Sequence, residues 1–440
     1  MIRLIIHELK MENFHGFEKR EITFSNQFTV LIGDNGTGKT AVLDGLAIAL
    51  GSFLSGFDGV HSRHIRKDEV HRKTFLQGGL SDIQLQYPVK ISCCGTVEGE
   101  LKTWSRALNG KHGTTTSKEA KSIMDYASSL QKKVSLGDPV VLPLISYYGT
   151  GRLWVQKRER NDFKIRTDRL GGYSFCLDPA SSEKHFTRWM EKMTYIELQK
   201  KQRKQELPIL EAVRNAVSVC MKNWKTIEFD VDSEEIRAIR EDGTILPFRM
   251  LSDGVRNMIG MVADIAHRMA QLNPGLEANV LSETPGVVLI DELDLHLHPK
   301  WQRTIVNDLK RTFPRIQFIV TSHSPFIVQS LEEGELRRLQ EVDDDEEVVS
   351  EKFVNKSIED ISESAMGIDG VQRSEKLNEM YKVAQVYYSL LEKGKGAAGK
   401  ELEELKRKLD ELESLYSSDV AYYAFLEMER LAAGLGRNGE

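Results

Sequence analysis

Eight residues near the start of the chain have the types and spacing of a loop that binds nucleotide phosphates. Residues 33–40 read GDNGTGKT, after an apolar run at 28–32 and before an apolar stretch at 41–50. The glycines let backbone N–H groups turn toward a phosphate, and the positive end of the following helix points to the same place. Lys39 is then expected to reach the β- and γ-phosphates, and Thr40 to ligate Mg²⁺. The predicted nucleotide-binding residues are Asn35, Gly36, Thr37, Gly38, Lys39 and Thr40.

Two carboxylates follow a second apolar run, at residues 287–290. Asp291, at the tip of this predicted strand, is placed to complete the Mg²⁺ site beside Thr40. Glu292, one position further, is placed to polarise a water for attack on the γ-phosphate. A buried strand that merely ends in an acidic turn is the alternative, and the upstream phosphate loop makes it the weaker interpretation.

A histidine is expected at the same edge of the sheet. Residues 316–320 read as a strand that delivers Thr321, Ser322 and His323 to its carboxyl end, where α/β proteins gather ligand contacts. The His323 side chain could then reach the γ-phosphate or the attacking water. His296 and His298 could form a metal site with His323, but no fourth ligand accompanies them.

Residues 251–256, LSDGVR, precede a predicted helix. Ser252 has the side chain of a helix N-cap, and Gly254 allows a close approach of another group. By itself this segment predicts only a well-formed helix start.

Composition limits the classes of protein that the chain can represent. It has 440 residues, 40% of them hydrophobic, and a formal net charge of -6, which predicts no global affinity for nucleic acid. The four cysteines lack C-x-x-C spacing, which fits a reducing cytosol. No stretch approaches the roughly 20 apolar residues of a membrane-spanning helix, and no signal-peptide pattern is present at the N-terminus. These features predict a cytoplasmic location.

The order of predicted elements indicates an α/β fold with a largely parallel sheet. Strands are expected at 89–94, 140–148, 286–290 and 316–320, and helices at 254–269 and 299–312. We divide the chain into an ATPase lobe at 1–150, an insertion with basic helical and hairpin segments at 151–248, a second ATPase lobe at 249–330, and an acidic linker with a C-terminal helical region at 331–440. Residues 111–121 read as an exposed loop. Leucines spaced by three and four near residues 402–412 favour a coiled coil or a helical hairpin.

The order of the motifs resembles that of the ABC-type ATPases, in their branch of SMC, RecF and OLD proteins. The resemblance covers residues 1–330 and rests on the phosphate loop, LSDG at 251–254, IDELDLHLHP at 290–299 and TSHSP at 321–325. It implies an ABC/SMC-like ATPase head in which ATP lies between two copies of the chain, with Ser252 and Gly254 contacting the nucleotide of the other copy. Asp294 would lie in the loop that links the two sites, and His323 would be the switch histidine.

Two positions depart from this family pattern. An arginine that usually follows Asn-Phe near the start, close to the nucleotide, is replaced by His15. The glutamine that usually follows the first lobe has Gln77, Gln84 and Gln86 as candidates, and Asp68 is an alternative.

A narrower resemblance is to the ATPases of the Septu anti-phage defence system, carried by the opening, by YYGTGRLW at 147–154 and by QRSEK at 372–376. It implies an ATPase that senses nucleic acid or infection and regulates a partner HNH nuclease, with homodimers or larger homo-oligomers formed through the ATP sites. Basic residues are the candidates for DNA contacts, although a solvated helix face is an equal alternative. They are Arg158, Arg160, Arg166, Arg169, Lys200 and Lys201.

Three other functions were weighed. An OLD-type ATPase with its own nuclease would need a stranded metal-binding domain, whereas residues 331–440 are mostly helical and place Asp343-x-Asp345 in an acidic linker. A RecF- or SMC-like repair ATPase is the main alternative, but the motifs are too close for a long coiled-coil arm. The ATPase subunit of a transporter is disfavoured by the run DLHLHP at 294–299 and by the lack of a membrane-spanning segment.

Overall fold

The structure is a computed structural model of the chain. It describes residues 4–77, 80–152, 168–179, 183–202, 207–339, 348–349, 356–364 and 366, and short pieces at 382–383, 386–387, 404–405 and 407–409. The chain divides into two compact units, residues 1–361 and residues 362–440. The predicted divisions at 150, 248 and 330 stay predictions. In the second unit the side chains of Val383, Tyr387 and Leu409 are buried.

The described strands and helices are as follows. The strands are β1 Leu4–Phe14, β2 Phe17–Thr23, β3 Phe28–Ile32, β4 Arg72–Gln77, β5 Leu80–Leu85, β6 Val89–Val97, β7 Glu100–Leu108, β8 Leu144–Tyr148, β9 Trp224–Asp230, β10 Glu235–Arg240, β11 Ile245–Pro247, β12 Gly286–Ile290, β13 Ile316–Thr321, β14 Leu336–Arg338 and β15 Val348–Val349. The helices are α1 Lys39–Leu54, α2 Lys121–Leu136, α3 Glu183–Gln202, α4 Pro208–Cys220, α5 Asp253–Leu272, α6 Val280–Glu283, α7 Pro299–Gln302, α8 Ile305–Thr312, α9 Pro325–Val328 and α10 Ile358–Ser364.

A six-stranded sheet forms the centre of the first unit, in the order β15-β14-β3-β13-β12-β8. Its pairs are parallel except for β14 with β15, as the alternation of strands and helices predicted. Every residue of β3, β12 and β13 is buried, which explains why these strands read as continuous apolar runs. Because β3 and β12 both flank β13, their carboxyl ends meet at one edge of the sheet.

An antiparallel sheet in the order β2-β1-β6-β7 packs on α1, which contacts strands of both sheets. Nearly all of α1 is therefore buried. The Trp104 indole of β7 donates a hydrogen bond to the Ala49 carbonyl of α1, 3.0 Å away. The fold is thus mixed α/β, with α1 packed against both a largely parallel sheet and an antiparallel sheet.

Several predicted boundaries were wrong. β6 extends to Val97 instead of residue 94, and α5 spans Asp253–Leu272 instead of 254–269. The strand predicted at 140–148 begins at Leu144, because Pro143 has no N–H and the Asn273 side chain takes the N–H and carbonyl of Leu142, at 2.7 and 2.9 Å. The helix predicted at 299–312 is two helices, because Arg303 and Thr304 form a turn between α7 and α8. The loop predicted at 111–121 already ends at Ser117, where a helical turn leads into α2.

Sequence patterns did not reveal α2, β7 or the two-stranded hairpin of β4 and β5. Phe75, Leu76 and Ile83 of that hairpin are exposed, so that no buried face produces a regular alternation of apolar residues. None of the helices in the described part of the chain is long and apolar enough to cross a membrane.

Candidate nucleotide-binding site

The loop of residues 33–38 leaves the end of β3 and turns directly into α1. Gly38 has φ of 90°, a conformation that residues with a side chain rarely adopt. A Cβ atom at Gly38 would lie 2.3 Å from the ring of Phe17, which stands at the start of β2. The first hairpin of the chain therefore packs on the phosphate loop, and both backbone and space require glycine at position 38.

Lys39 folds back over this loop. Its Nζ donates hydrogen bonds to the carbonyls of Gly33, at 2.7 Å, and Asp34, at 2.8 Å. Burial lowers the pKa of the Lys39 ammonium, while the carboxylates of Asp291 and Asp34 act in the opposite direction. These two carbonyls hold the Lys39 ammonium in place. A phosphate that binds in the loop would form an ion pair with it.

Thr40 and Asp291 meet although 251 positions separate them in sequence. The Thr40 hydroxyl donates a hydrogen bond to Asp291 Oδ2, at 3.0 Å. Neighbouring ligands of an octahedral Mg²⁺ with bonds of 2.0–2.1 Å would lie about 2.9 Å apart. A hydroxyl and a carboxylate are also ligands that Mg²⁺ prefers, so that these two residues fit the predicted cation.

Glu292 and His323 reach the same cavity, whose volume is about 330 Å³. Glu292 has φ of 49°, which is unusual for a residue with a side chain. The backbone N–H of His323 donates a hydrogen bond to Asp294 Oδ1, at 3.3 Å. The described residues that line the cavity are His15, Gly16, Phe17, Asn35, Gly36, Thr37, Gly38, Lys39, Thr40, Ala41, Asp291, Glu292, Thr321 and His323. The structure thus brings together the predicted phosphate loop, both carboxylates and the histidine.

Ser252 and Gly254 are absent from this lining set within the described part of the chain. Ser252 precedes α5 and is exposed, but the capping bond expected of its side chain is not formed, which corrects the predicted cap. Gly254 is buried, and a Cβ atom there would lie 2.1 Å from the carbonyl oxygen of His296. Close packing within the chain therefore explains why residue 254 is a glycine. Contact of Gly254 with a second copy stays a prediction.

His15 lies at the mouth of the cavity beside a buried ion-paired cluster. Its Nε2 is 3.9 Å from Asp44 Oδ2 and has no hydrogen-bond partner. Arg63 donates hydrogen bonds to Asp44 and to Glu69. Burial raises the pKa of the Asp44 carboxyl, and Arg63 partly offsets this. Sequence reasoning missed Arg63 and Glu69, which lie in a stretch that reads as a polar connection.

His15, Asp44 and Glu69 are also the only group in the described residues close enough to share a metal ion. Arg63 already forms ion pairs with both carboxylates, so we assign no metal here. His296, His298 and His323 do not form such a group among the described residues. His298 instead accepts a hydrogen bond from the Lys300 N–H, at 3.2 Å.

Neither Gln84 nor Gln86 is among the described residues that line the cavity. Gln84 and Gln86 lie on or next to the exposed hairpin, where Gln84 bonds to Asp82 and Gln86 to the carbonyl of Gln84. Gln77 ends β4, and Asp68 is exposed. Assigning the role of this glutamine to Gln84, Gln86 or Asp68 is therefore not supported by the structure.

Arg169 is the nucleic-acid candidate between residues 158 and 169 that the structure describes. Its guanidinium donates hydrogen bonds to the carbonyls of Leu272, at 2.8 Å, and Val140, at 2.6 Å. Burial lowers the pKa of Arg169. These bonds connect α5 to the segment before β8, and they occupy the guanidinium inside the protein.

For the other basic candidates, contact with DNA stays a prediction. Lys200 and Lys201 lie in the last turn of α3, where Lys201 is exposed and pairs with Glu197 at 3.4 Å. Arg158, Arg160 and Arg166 lie outside the described residues.

A buried polar network fixes α5 against β8. Asp264 Oδ2 accepts hydrogen bonds from the Tyr148 hydroxyl and from Arg268 Nε, both at 2.7 Å. Burial raises the pKa of the Asp264 carboxyl, but Arg268 and His267 together lower it by more, so that this pKa lies below its usual range. The carbonyl of Tyr148 in turn accepts a hydrogen bond from the backbone N–H of Asp291, at 2.8 Å. The helix that follows Ser252 is therefore connected to the strand tip of the site.

Two protein-family models match the chain, one described as AAA domain over residues 8–219 and a second AAA-domain model over residues 151–329, whose description names the AbiEii toxin of type IV toxin–antitoxin systems. The chain is 27% identical over 395 residues to the Retron Vc95 probable ATPase of Vibrio cholerae serotype O1 biovar El Tor, covering 78% of this chain and 74% of the relative. It is 23% identical over 380 residues to the Septu protein PtuA of Bacillus thuringiensis, covering 83% and 85%.

The chain resembles the ABC- and SMC-like ATPases, and PtuA among them. A crystal structure of an SMC head bound to the C-terminal winged-helix domain of ScpA is also similar, with a TM-score of 0.45 at 15% identity over 79% of this chain and 97% of that one.

Proposed function

We propose that the chain is an ABC-type ATPase that hydrolyses ATP between two copies of itself and regulates a partner HNH nuclease in anti-phage defence. One observation carries the ATPase part. Thr40 and Asp291 meet at 3.0 Å in a cavity that Lys39, Glu292 and His323 also line. This is the set of groups that phosphoryl transfer to water requires.

Each side chain has a distinct task in this proposal. Lys39 binds the β- and γ-phosphates, Glu292 orients and polarises the attacking water, and His323 contacts the γ-phosphate. Thr40 and Asp291 hold Mg²⁺, which would offset the charge that develops on the phosphate oxygens. Asp294 holds the backbone of His323 through their hydrogen bond, and so keeps the histidine at the cavity.

The second copy is proposed because the lining residues supply no donor from the segment at 251–256. The exposed Ser252 hydroxyl, free of a capping bond, suits contact with a γ-phosphate in another copy. Exposed Met250 lies beside it. An apolar side chain next to an exposed donor is consistent with a surface that a second copy covers.

The defence role rests on what the relatives are called, a Septu protein and a retron ATPase. In this proposal the protein acts in the cytoplasm and contacts DNA through Lys200 and Lys201. The nuclease activity belongs to the partner. A nicking assay tests this division. The purified chain with Mg²⁺ or Mn²⁺ should leave plasmid intact, and addition of the HNH partner should produce ATP-dependent cleavage. Cleavage by the chain alone would contradict the division.

Two substitutions test the ATPase itself. Lys39→Ala should abolish nucleotide binding, because it removes the cation of the loop. Glu292→Gln should keep ATP bound, slow hydrolysis by about 10²–10⁴-fold and accumulate the dimer. Equilibrium binding of a fluorescent ATP analogue, phosphate release and mass in solution report the three properties. Glu241→Gln, at an exposed carboxylate, is the matched control. Hydrolysis by Glu292→Gln at the wild-type rate would refute the assigned base.

A further inference from the structure

Thr321, the last residue of β13, is completely buried and yet lines the cavity. β12 and β13 are parallel, with Ile290 opposite Val320, so that Thr321 stands level with Asp291. Its hydroxyl donates a hydrogen bond to Asp291 Oδ1, at 2.6 Å. The same hydroxyl accepts a hydrogen bond from the backbone N–H of Glu292, at 2.7 Å. One side chain thus contacts both carboxylate-bearing residues of the site.

The direction of these two bonds is fixed by chemistry. A hydroxyl has one hydrogen to donate and two lone pairs, an ionised carboxylate only accepts, and a backbone N–H only donates. The Thr321 proton must therefore point to Asp291, and a lone pair must face Glu292. Valine has the same shape as threonine but can form neither bond.

The two carboxylate oxygens of Asp291 have different hydrogen-bond partners. Oδ1 is held by Thr321, and Oδ2 faces Thr40 at 3.0 Å. Rotation of the carboxylate would break both contacts. The Oδ2 atom is thereby presented to the side on which the hydroxyl of Thr40 lies.

The backbone conformation of Glu292 also has to be stabilised by neighbouring groups. Its φ of 49° is unfavourable for a residue with a Cβ atom and persists only where neighbouring contacts hold it. Thr321 supplies two such contacts, since its hydroxyl binds the Glu292 N–H and its carbonyl accepts the N–H of Leu293, at 2.9 Å. The turn that aims the Glu292 side chain is therefore anchored on both sides of that residue by Thr321.

We propose that Thr321 is a positioning residue of this site, whose hydroxyl orients Asp291 toward the cation and holds the turn that carries Glu292. The inference rests on the proposed ATPase function. Thr321 touches neither the nucleotide nor the water in this role. It acts through the two carboxylates.

The test compares Thr321→Val with Thr321→Ser. Binding of Mn²⁺ in the presence of a non-hydrolysable ATP analogue, followed by electron paramagnetic resonance, should be about 10–100-fold weaker in Thr321→Val, as for other groups that orient a metal ligand. Binding of the analogue in EDTA should stay within about threefold of wild type, because the phosphate loop is untouched. Hydrolysis at saturating ATP should fall by a similar 10–100-fold factor, about as much as the Mn²⁺ affinity. Thr321→Ser should restore the Mn²⁺ affinity.

Thr29→Val provides the matched control, since Thr29 is a buried threonine on β3 that accepts a hydrogen bond from the Ser25 N–H outside the site. It should leave Mn²⁺ binding unchanged. Should Thr321→Val fail to fold, Thr321→Ala removes the hydroxyl without adding bulk. Wild-type Mn²⁺ affinity in the valine or alanine variant would overturn the inference, and so would equal impairment of the serine variant. A wild-type chain that binds Mn²⁺ but hydrolyses no ATP would instead refute the proposed function.

Discussion

Replacing Asp264 by Asn tests the buried network that holds α5. The change keeps the shape and an oxygen acceptor for the Tyr148 hydroxyl, but it removes the charge that faces Arg268. Removal of one partner of a buried pair costs about 3–5 kcal/mol. Arg268 keeps hydrogen bonds to the carbonyls of Gly172 and Ser174, at 3.0 and 2.9 Å, which reduces the loss. We therefore expect a loss near the lower limit, about 3 kcal/mol.

Urea unfolding at pH 7 measures this loss, and two variants set the scale. Tyr148→Phe removes one hydrogen bond to a charged group and should cost about 1.5–3 kcal/mol. Asp253→Asn breaks a pair with Arg256 in which the aspartate is 58% exposed, and it should cost less than about 1 kcal/mol. A loss for Asp264→Asn no larger than that of Asp253→Asn would refute the reasoning.

The same variant predicts a pH dependence. The pKa of Asp264 is lowered in the folded protein, so its contribution to stability is complete above the unfolded value of about 3.9 and declines as pH falls through the folded pKa. The difference in unfolding free energy between wild type and Asp264→Asn should be constant from about pH 5 to 8 and shrink below about pH 4. A difference that grew on acidification would contradict the assigned charge state.

Two further predictions concern packing. Gly254→Ala should lower the unfolding free energy by about 1–3 kcal/mol, because its Cβ atom would meet the backbone carbonyl of His296 at 2.1 Å, whereas Gly275→Ala, with open space around it, should have little effect in the same thermal melts. Equal melting temperatures for the two variants would contradict this. Arg169→Gln should cost about 1–3 kcal/mol without changing DNA affinity, because two buried carbonyls lose their donor. Lys201→Gln, at an exposed residue, should leave stability within about 0.5 kcal/mol, and a DNA-binding defect in Arg169→Gln would restore that residue as a candidate.

Much of the fold was predictable because its central strands are buried on both faces. Apolar runs located β3, β12 and β13 to within one residue at either end. The phosphate loop and the pair of Asp291 and Glu292 were found because their chemistry needs fixed residue types at adjacent positions. Such local constraints leave a pattern in sequence.

Residues whose role depends on a distant partner were missed. Thr321 reads only as a β-branched residue in a strand, and its bond to Asp291 depends on the register of two strands. Its place at a strand end, two residues before His323, was the available signal. Arg63 and Glu69 belong to no recognisable motif, and their burial arises only when α1 and the segment that follows it pack together. The pattern of charges in the sequence does not distinguish a buried ion pair from charged residues in a solvated segment.

The position of β3 between β13 and β14 has a consequence for synthesis of the chain. β3 leaves the ribosome about 280 residues before β13, which corresponds to about 15–60 s at usual elongation rates. During this interval both edges of β3, which is fully buried in the native protein, lack the neighbours that they have in the native sheet. The sheet of β1, β2, β6 and β7 is complete by residue 108 and, with α1, could shield that strand. Folding of the nascent chain is thus expected to begin in the antiparallel sheet, and the phosphate loop acquires its final support only after β14 has been synthesised.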